Sequence, residues 1–340
     1  MISIPKWLKQ AREISHLFLD DNPISIVDVG ASVNPPENCA RLASVSTYIG
    51  FDPDLRKTQE CDQFGFLSHT IIDKAVSARK RESVSFYLTR SPECSSTLAP
   101  DMTQAKCYSI GNFFDVIGQA EVSSITLGEA ASQANLASID WLKLDTQGTD
   151  LDIFSNLEPD LLAKVLVVDL EPGILPFYIG ENKVSNIHDF MLANGFWLSD
   201  LTQQRYPRIS QDTVKALELD EKDVKLLGDS PFAVELQYFR TIESLERNYA
   251  TKRDFAAFWV LAMANANYAF AIEIAVAAER HGLKDSISQK LVSLTLEACR
   301  NEDFRRRKKD STQSIKNLVP SVFTRILRRG KLIFSTKFSH

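Results

Sequence analysis

The sequence predicts an α/β fold on a parallel sheet, followed by a helical C-terminal extension. Three observations lead there. Short apolar, β-branched runs alternate with longer mixed segments up to about residue 240. Five of those runs end in an acid at or near the carboxyl end: Asp28, Asp52, Asp73, Asp145 and Glu171. After Arg240 strand alternation stops, and Ala, Leu and Glu dominate residues 241–301.

Taken in order, residues 1–22, "MISIPKWLKQAREISHLFLDDN", read as an amphipathic helix and lack the unbroken apolar run of a signal peptide. Sheet strands are expected at 24–30, 47–52, 69–77, 140–145, 164–171, 195–201 and 231–240, with "SVSFYL" (83–88) as a hairpin strand. Residues 253–282 read as one long helix stopped by Gly282, and 285–300 as its antiparallel partner with Asp285 as N-cap. "RRRKKD" (305–310) is a linker, and 318–334 forms a helix with Val319, Val322, Phe323, Ile326 and Leu327 on one face. The expected units are an N-terminal helix (1–22), a catalytic-type α/β domain (23–242), a helical extension (243–303) and a basic amphipathic tail (304–340).

The net charge of −5 excludes nucleic-acid binding by bulk charge. The charge is unevenly spread: residues 300–340 hold twelve Lys and Arg against three acids, an excess of nine, which leaves about −14 on the rest. The five cysteines form no CxxC pair, which argues against a disulfide framework or zinc site and for a reducing compartment. Residues 255–272 carry no charge over 18 positions, but Asn265, Asn267 and many alanines make a buried helix the expectation rather than a membrane span. A cytoplasmic protein is expected.

The stretch "IVDVGASVN" (26–34) runs from strand to loop with one glycine, Gly30, and has Asn34 where a dinucleotide-binding loop commonly has another. N-P-P-E at 34–37 reads as a helix start, with Asn34 as N-cap, Pro35 at the first position and Glu37 closing a capping box. A pyrophosphate needs more clearance than this loop offers, whereas a phosphate-free nucleoside such as S-adenosylmethionine does not. Asp52 in "GFDPD", 22 residues after Gly30, is spaced to accept from ribose hydroxyls; its plainer role is a turn residue before Pro53.

Five segments, "VDVGASVN", "YIGFDPD", "IDWLKLDTQGTDLDIF", "VVDLEPGILPFYIG" and "FMLANGFWLSDL", resemble in order and spacing the FkbM family of S-adenosylmethionine-dependent methyltransferases, over about residues 20–240. "LKLDTQGTDLDIF" is the most diagnostic, matching a K-x-D-x-E/Q-G-x-D/E block. The resemblance implies a Rossmann-like class I methyltransferase: a seven-stranded, mostly parallel sheet with helices on both faces and the last strand antiparallel. It implies methyl transfer to a hydroxyl of a sugar or natural product. By position it implies Asp28, Gly30 and Ala31 in the first cofactor motif, Asp52 as ribose acid, Asp73 to Ala75 near the adenine, and Asp145, Gln147 and Gly148 at the methyl-transfer centre. The sequence departs from the pattern at Asn34 and at Gln147, where many members have Glu.

O-methylation needs a group to take the acceptor's proton. Asp145 and Glu171 at neighbouring strand ends are the candidates, with His69 and His188 further afield. A divalent metal held by Asp145 and Glu171 would serve the same end by lowering the hydroxyl pKa. The Ser-rich loop "RSPECSSTL" (90–98) is placed to lie over an acceptor, and its Cys94 has no neighbouring His to make it a nucleophile. The tail, 305–340, reads as a solvated arm, a contact to anionic membrane lipids, or a partner-binding helix. The alternative to an enzyme is a non-catalytic scaffold that keeps the fold and docks a partner through its helical C-terminal part. A nicotinamide-dependent dehydrogenase is disfavoured by the single loop glycine.

Overall fold

The computed structural model describes residues 5–31, 35–54, 64–248 and 250–302; Asn34, Cys61 and the basic tail 304–340 lie outside the described residues. The strands are β1 (Ile24–Val29), β2 (Ser46–Phe51), β3 (Ser68–Ile72), β4 (Ala75–Val76), β5 (Ser83–Thr89), β6 (Val116–Ile125), β7 (Trp141–Leu144), β8 (Val167–Leu170), β9 (Phe196–Tyr206) and β10 (Ser230–Arg240). Seven of them form one sheet in the order β3-β2-β1-β7-β8-β10-β9. Neighbours from β3 to β8 run parallel, and β10 runs antiparallel to both β8 and β9. This is the expected mostly parallel sheet with its last strand reversed. The run at 69–77 leaves the sheet at Asp73: β4 joins a second sheet with β6 and β5, in which β5 and β6 are the hairpin.

Burial explains which strands are central. Every residue of β1 is buried, as expected for a strand covered on both faces. Side-chain alternation divides the core in two. Val27, Val29, Leu142, Leu144, Val168 and Leu170 pack on one face beneath the helices Leu127–Gln133, Asp150–Ser155 and Val184–Ala193. Ile24, Ile26, Tyr48, Trp141, Val167 and Phe239 pack on the other, against the N-terminal helices and the C-terminal extension.

The extension therefore covers a sheet face. Its expected single helix over 253–282 is instead two, Lys252–Ala264 and Tyr268–Arg280. The first ends in a Schellman pattern, with the Ala266 N–H on the Met263 carbonyl (3.2 Å) and the Asn267 N–H on the Ala262 carbonyl (2.9 Å). Ala266 takes the left-handed position at φ 56°. The Asn265 amide donates to the Leu261 carbonyl and receives from Asn38 and Gln237, tying the break to the sheet. The third helix begins at 285, so Asp285 is its first residue rather than its cap, with its carboxylate held by Gln289. No helix among the described residues is long and apolar enough to cross a membrane.

One buried ion pair fastens this layer to the sheet. Arg253 donates to both Asp140 carboxylate oxygens (2.6 and 2.7 Å) and to the carbonyls of Asn22 and Pro23, and Asp140 also accepts from the Ser25 N–H. Removing the cation would leave a carboxylate that is 1% exposed without its counter-charge. Arg253→Leu should lower unfolding free energy by about 3 kcal/mol in urea titrations; a loss below about 1 kcal/mol would show that the pair does not hold the layer.

Candidate active site

The parallel registers set one row of residues across the carboxyl edge of the sheet. Val29 is level with Phe51 and Leu144, Phe51 with Ile72, and Leu144 with Leu170. The next residue on each strand gives the order Asp73, Asp52, Gly30, Asp145, Glu171, with adjacent strands about 4.8 Å apart. Ligands of open α/β sheets bind outside this edge. Asp28 stands two residues below the row, inside β1.

Gly30 sits where the row is tightest. Its φ is +84°, and a Cβ there would run into the Asp145 carbonyl oxygen and lie 3.4 Å from the Asp145 Cβ. The N–H groups of Gly30 and Ala31 both donate to the Phe51 carbonyl at 3.0 Å. The turn is thus drawn between β2 and β7, and Ala31 is buried in it. The following helix is Glu37–Ala40, with extended Pro36 before it and no side-chain cap. It starts later than the N-P-P-E reading expected, and Glu37 pairs with Arg41 at 2.5 Å; the Asn34 side of the expected capping box lies outside the described residues.

Below and beside the turn lies a chain of polar contacts. Asp28 accepts from the Tyr48 hydroxyl (2.7 Å) and from Lys143 Nζ (3.3 Å). Lys143 Nζ lies 3.8 Å from Asp145 Oδ2. Burial alone would push the Lys143 ammonium down, but Asp28, Asp145 and Glu171 together raise it above the ordinary lysine value. Gln147 Nε2 donates to Asp145 Oδ1 (2.7 Å), and the Tyr178 hydroxyl lies 2.9 Å from Gln147 Oε1 and 2.8 Å from the Cys94 carbonyl oxygen. Gln147 is left-handed at φ 55°, an uncommon state for a residue with a Cβ. The Ser96 hydroxyl donates to its carbonyl at 2.7 Å. The loop 90–98 therefore packs on Gln147 and Tyr178.

Two acids that sequence reading gave no role shape the loops. Asp150, fully buried, accepts from the Thr146 N–H (2.9 Å) and hydroxyl and from the Glu171 N–H (2.9 Å), stapling the ends of β7 and β8. Burial pushes its carboxyl up to about 6 against those hydrogen bonds. The signal was present as the last acid of the K-x-D-x-E/Q-G-x-D/E block. Glu181 accepts three backbone N–H groups, from Gly173 (3.0 Å), Phe177 (2.8 Å) and Tyr178 (2.8 Å), which folds the loop after β8 and sets Tyr178. Nothing periodic in the sequence marks it.

Glu171 is half-buried and accepts from Gln204 Nε2. Burial first, then the charge of Asp145, pushes its carboxyl up to about 8. Burial likewise pushes the Cys94 thiol up to about 11, which suits an inert cysteine. Asp52 Oδ1 accepts from the Asp54 N–H (2.7 Å), so the turn role is real and coexists with a place in the row. Asp73 is exposed, and Ala75 is buried against β6. The candidate histidines are elsewhere: His69 stacks on Phe66 and packs at a tilt against Tyr48, and His188 Nδ1 meets the Tyr238 hydroxyl at 3.0 Å. Among the described residues no group of three or more His, Cys, Asp or Glu is disposed to hold a metal ion.

The sequence model of the methyltransferase FkbM domain matches residues 28–198, half of the chain, from Asp28 in β1 to Leu198 in β9. That span takes in Gly30, Asp52, Asp145, Gln147 and Glu171. No curated protein matches the chain. The matched span holds the row of residues at the sheet edge and both loop-shaping acids, and the chain belongs to the FkbM methyltransferase family.

Proposed function

We propose that the protein transfers a methyl group from S-adenosylmethionine to a hydroxyl of a sugar or glycan. The observation that carries this reading is the row itself: one glycine bend crowded against Asp145, flanked by Asp52 and Glu171. Such an edge is rich in carboxylates, and it suits a cationic sulfonium and an ammonium better than a diphosphate. Asp52 would accept from the ribose hydroxyls, and Gly30 and Ala31 would let the nucleoside lie against the backbone. Asp145, steadied by Gln147 and Lys143, would face the amino-acid end. Bound there, S-adenosylmethionine supplies an electrophilic methyl group on a good leaving group.

The remaining need is a proton acceptor. Gln147 cannot serve, since an amide takes no proton at these pH values; its contacts hold Asp145 and Tyr178 in register. Glu171 is the better base. With its carboxyl near 8 it is a far stronger base when ionised than an ordinary glutamate, and it stands one strand from Asp145.

Asp52→Ala should weaken S-adenosylmethionine binding at least about tenfold in calorimetry while the melting curve stays cooperative, and Asp52→Asn, which keeps the turn acceptor, should fall between the two; unchanged affinity would refute the ribose role. Methyl transfer from radiolabelled cofactor to pooled glycans should rise with pH, reach half its limit near 8 and level off above it, because Glu171 accepts a proton only when ionised. Glu171→Gln should remove that limb and cost about 100-fold or more. The same raised carboxyl binds a proton more tightly folded than unfolded, so it loses stability as pH rises from about 4.5 to about 8. Stability of the Gln variant relative to the native chain should grow over that window, and a constant difference would contradict the assignment.

A further inference from the structure

A cavity of about 480 Å³ lies beside the turn at Gly148 and Thr149. That volume is within the usual range for small-molecule sites. Four separate pieces of chain build its wall: β4 with the segment that follows it, β5, the end of the loop 90–98, and one side of the helix Asp150–Ser155 from Thr149 before it to Asn156 after it. Leu98 and Thr149 set it against the loop that follows β7, the loop that also carries Gln147. Leu98 would lie 3.1 Å from a Cβ on Gly148, and Thr149 bonds to Thr146 Oγ1 at 2.8 Å.

The lining is mixed in a particular way. Val76, Val84, Leu98 and Ile153 supply apolar surface, and Ser85, Thr97, Thr149, Asp152 and Asn156 supply short hydrogen-bonding groups. Apolar patches that take C–H faces, interleaved with donors and acceptors for hydroxyls, suit a carbohydrate. Arg79 and Arg81 add two guanidinium groups. Neither has a carboxylate partner among the described residues, whereas Lys80 between them does not line this cavity and pairs with Glu129 at 2.6 Å. The backbone that carries the two arginines is fixed: the Ser77 hydroxyl donates to the Arg79 carbonyl (2.9 Å) and the Ser124 hydroxyl to the Arg81 carbonyl (2.8 Å). Asp152, the one carboxylate in the wall, accepts from Asn182 (3.1 Å).

Two exposed guanidinium groups on a pinned backbone, with one carboxylate, Asp152, in the same wall, leave the cavity with an excess of positive charge that suits an oxyanion. We infer that this cavity is the acceptor site and that the acceptor is a sugar bearing an anionic group, a carboxylate or a phosphate, bound by Arg79 and Arg81. The word acceptor rests on the methyltransferase reading, while the anion binding can be measured without it.

The test is equilibrium binding to the full chain at fixed ionic strength, with glucuronate, glucose 6-phosphate and glucose as probes and no methyl donor present. At least one anionic sugar should bind about tenfold or more tightly than glucose, and the better of the two identifies the carboxylate or the phosphate. Arg79→Ala/Arg81→Ala should abolish that preference, Arg79→Lys/Arg81→Lys should restore part of it, and both variants should melt like the native chain. S-adenosylmethionine affinity should not change in either. Equal binding of all three sugars, binding of none, or an unaltered preference in the alanine variant would overturn the proposal. So would loss of cofactor affinity, which would assign the cavity to the cofactor. Tight anionic-sugar binding in a chain that transfers no methyl group would sink the enzymatic reading and leave the anion site standing.

Discussion

The structure depends on one close approach: the backbone of Gly30 lies against the carbonyl of Asp145, where no side chain fits. Three strands meet there. β1 enters between β2 and β7, and its turn is held by two hydrogen bonds to Phe51. Because β1 is central, its end fixes the level of the whole edge, and Asp52, Asp145 and Glu171 arrive beside it by register. A residue with a Cβ at position 30 would have to push β7 away and take Asp145 with it. The left-handed φ adds a second reason for glycine.

Around that contact the molecule spends buried polar groups on position. Asp150 and Glu181 together accept from the backbones of Thr146, Glu171, Gly173, Phe177 and Tyr178, which removes most freedom from the loops after β7 and β8. Withdrawing a carboxylate from water is costly, and buried Asp150 and half-buried Glu181 are tolerated because backbone N–H groups replace the lost water. Lys143 does the same for Asp28 and Asp145 with a formal charge. The face opposite the loop-bearing helices is sealed by the C-terminal helices, pinned through Arg253 and Asp140. The extension thus covers the face that carries Asp28, Tyr48 and Lys143, and Gln237 joins the two layers there by donating to Asp169 of β8 and to Asn265 of the extension.

Much of this was legible in the residues. Central parallel strands are apolar along their whole length, so runs such as "ISIVDV" and "KVLVVDL" declared themselves, and the acid or glycine after each marked the edge. Gly30 was readable as a close approach, although the partner it approaches, Asp145, is a matter of register and not of sequence. What stayed hidden was decided by tertiary contact. Nothing local requires Ala266 to turn left-handed; Asn38 and Gln237 reaching Asn265 mark the break in the helix. The jobs of Asp150 and Glu181 are set by loops that only the folded chain brings together. The expected helix start at Asn34 rested on strong capping preferences, yet Pro36 remains extended and the helix begins at Glu37.

The central claim is that the bend at residue 30 makes the cofactor cradle by allowing backbone contact with β7. Calorimetric titration of Gly30→Ala with S-adenosylmethionine, beside its melting curve, tests this most directly. The account predicts a folded protein of lowered melting temperature that binds the cofactor at least about tenfold more weakly than the native chain. A variant that folds and binds with native affinity would contradict it.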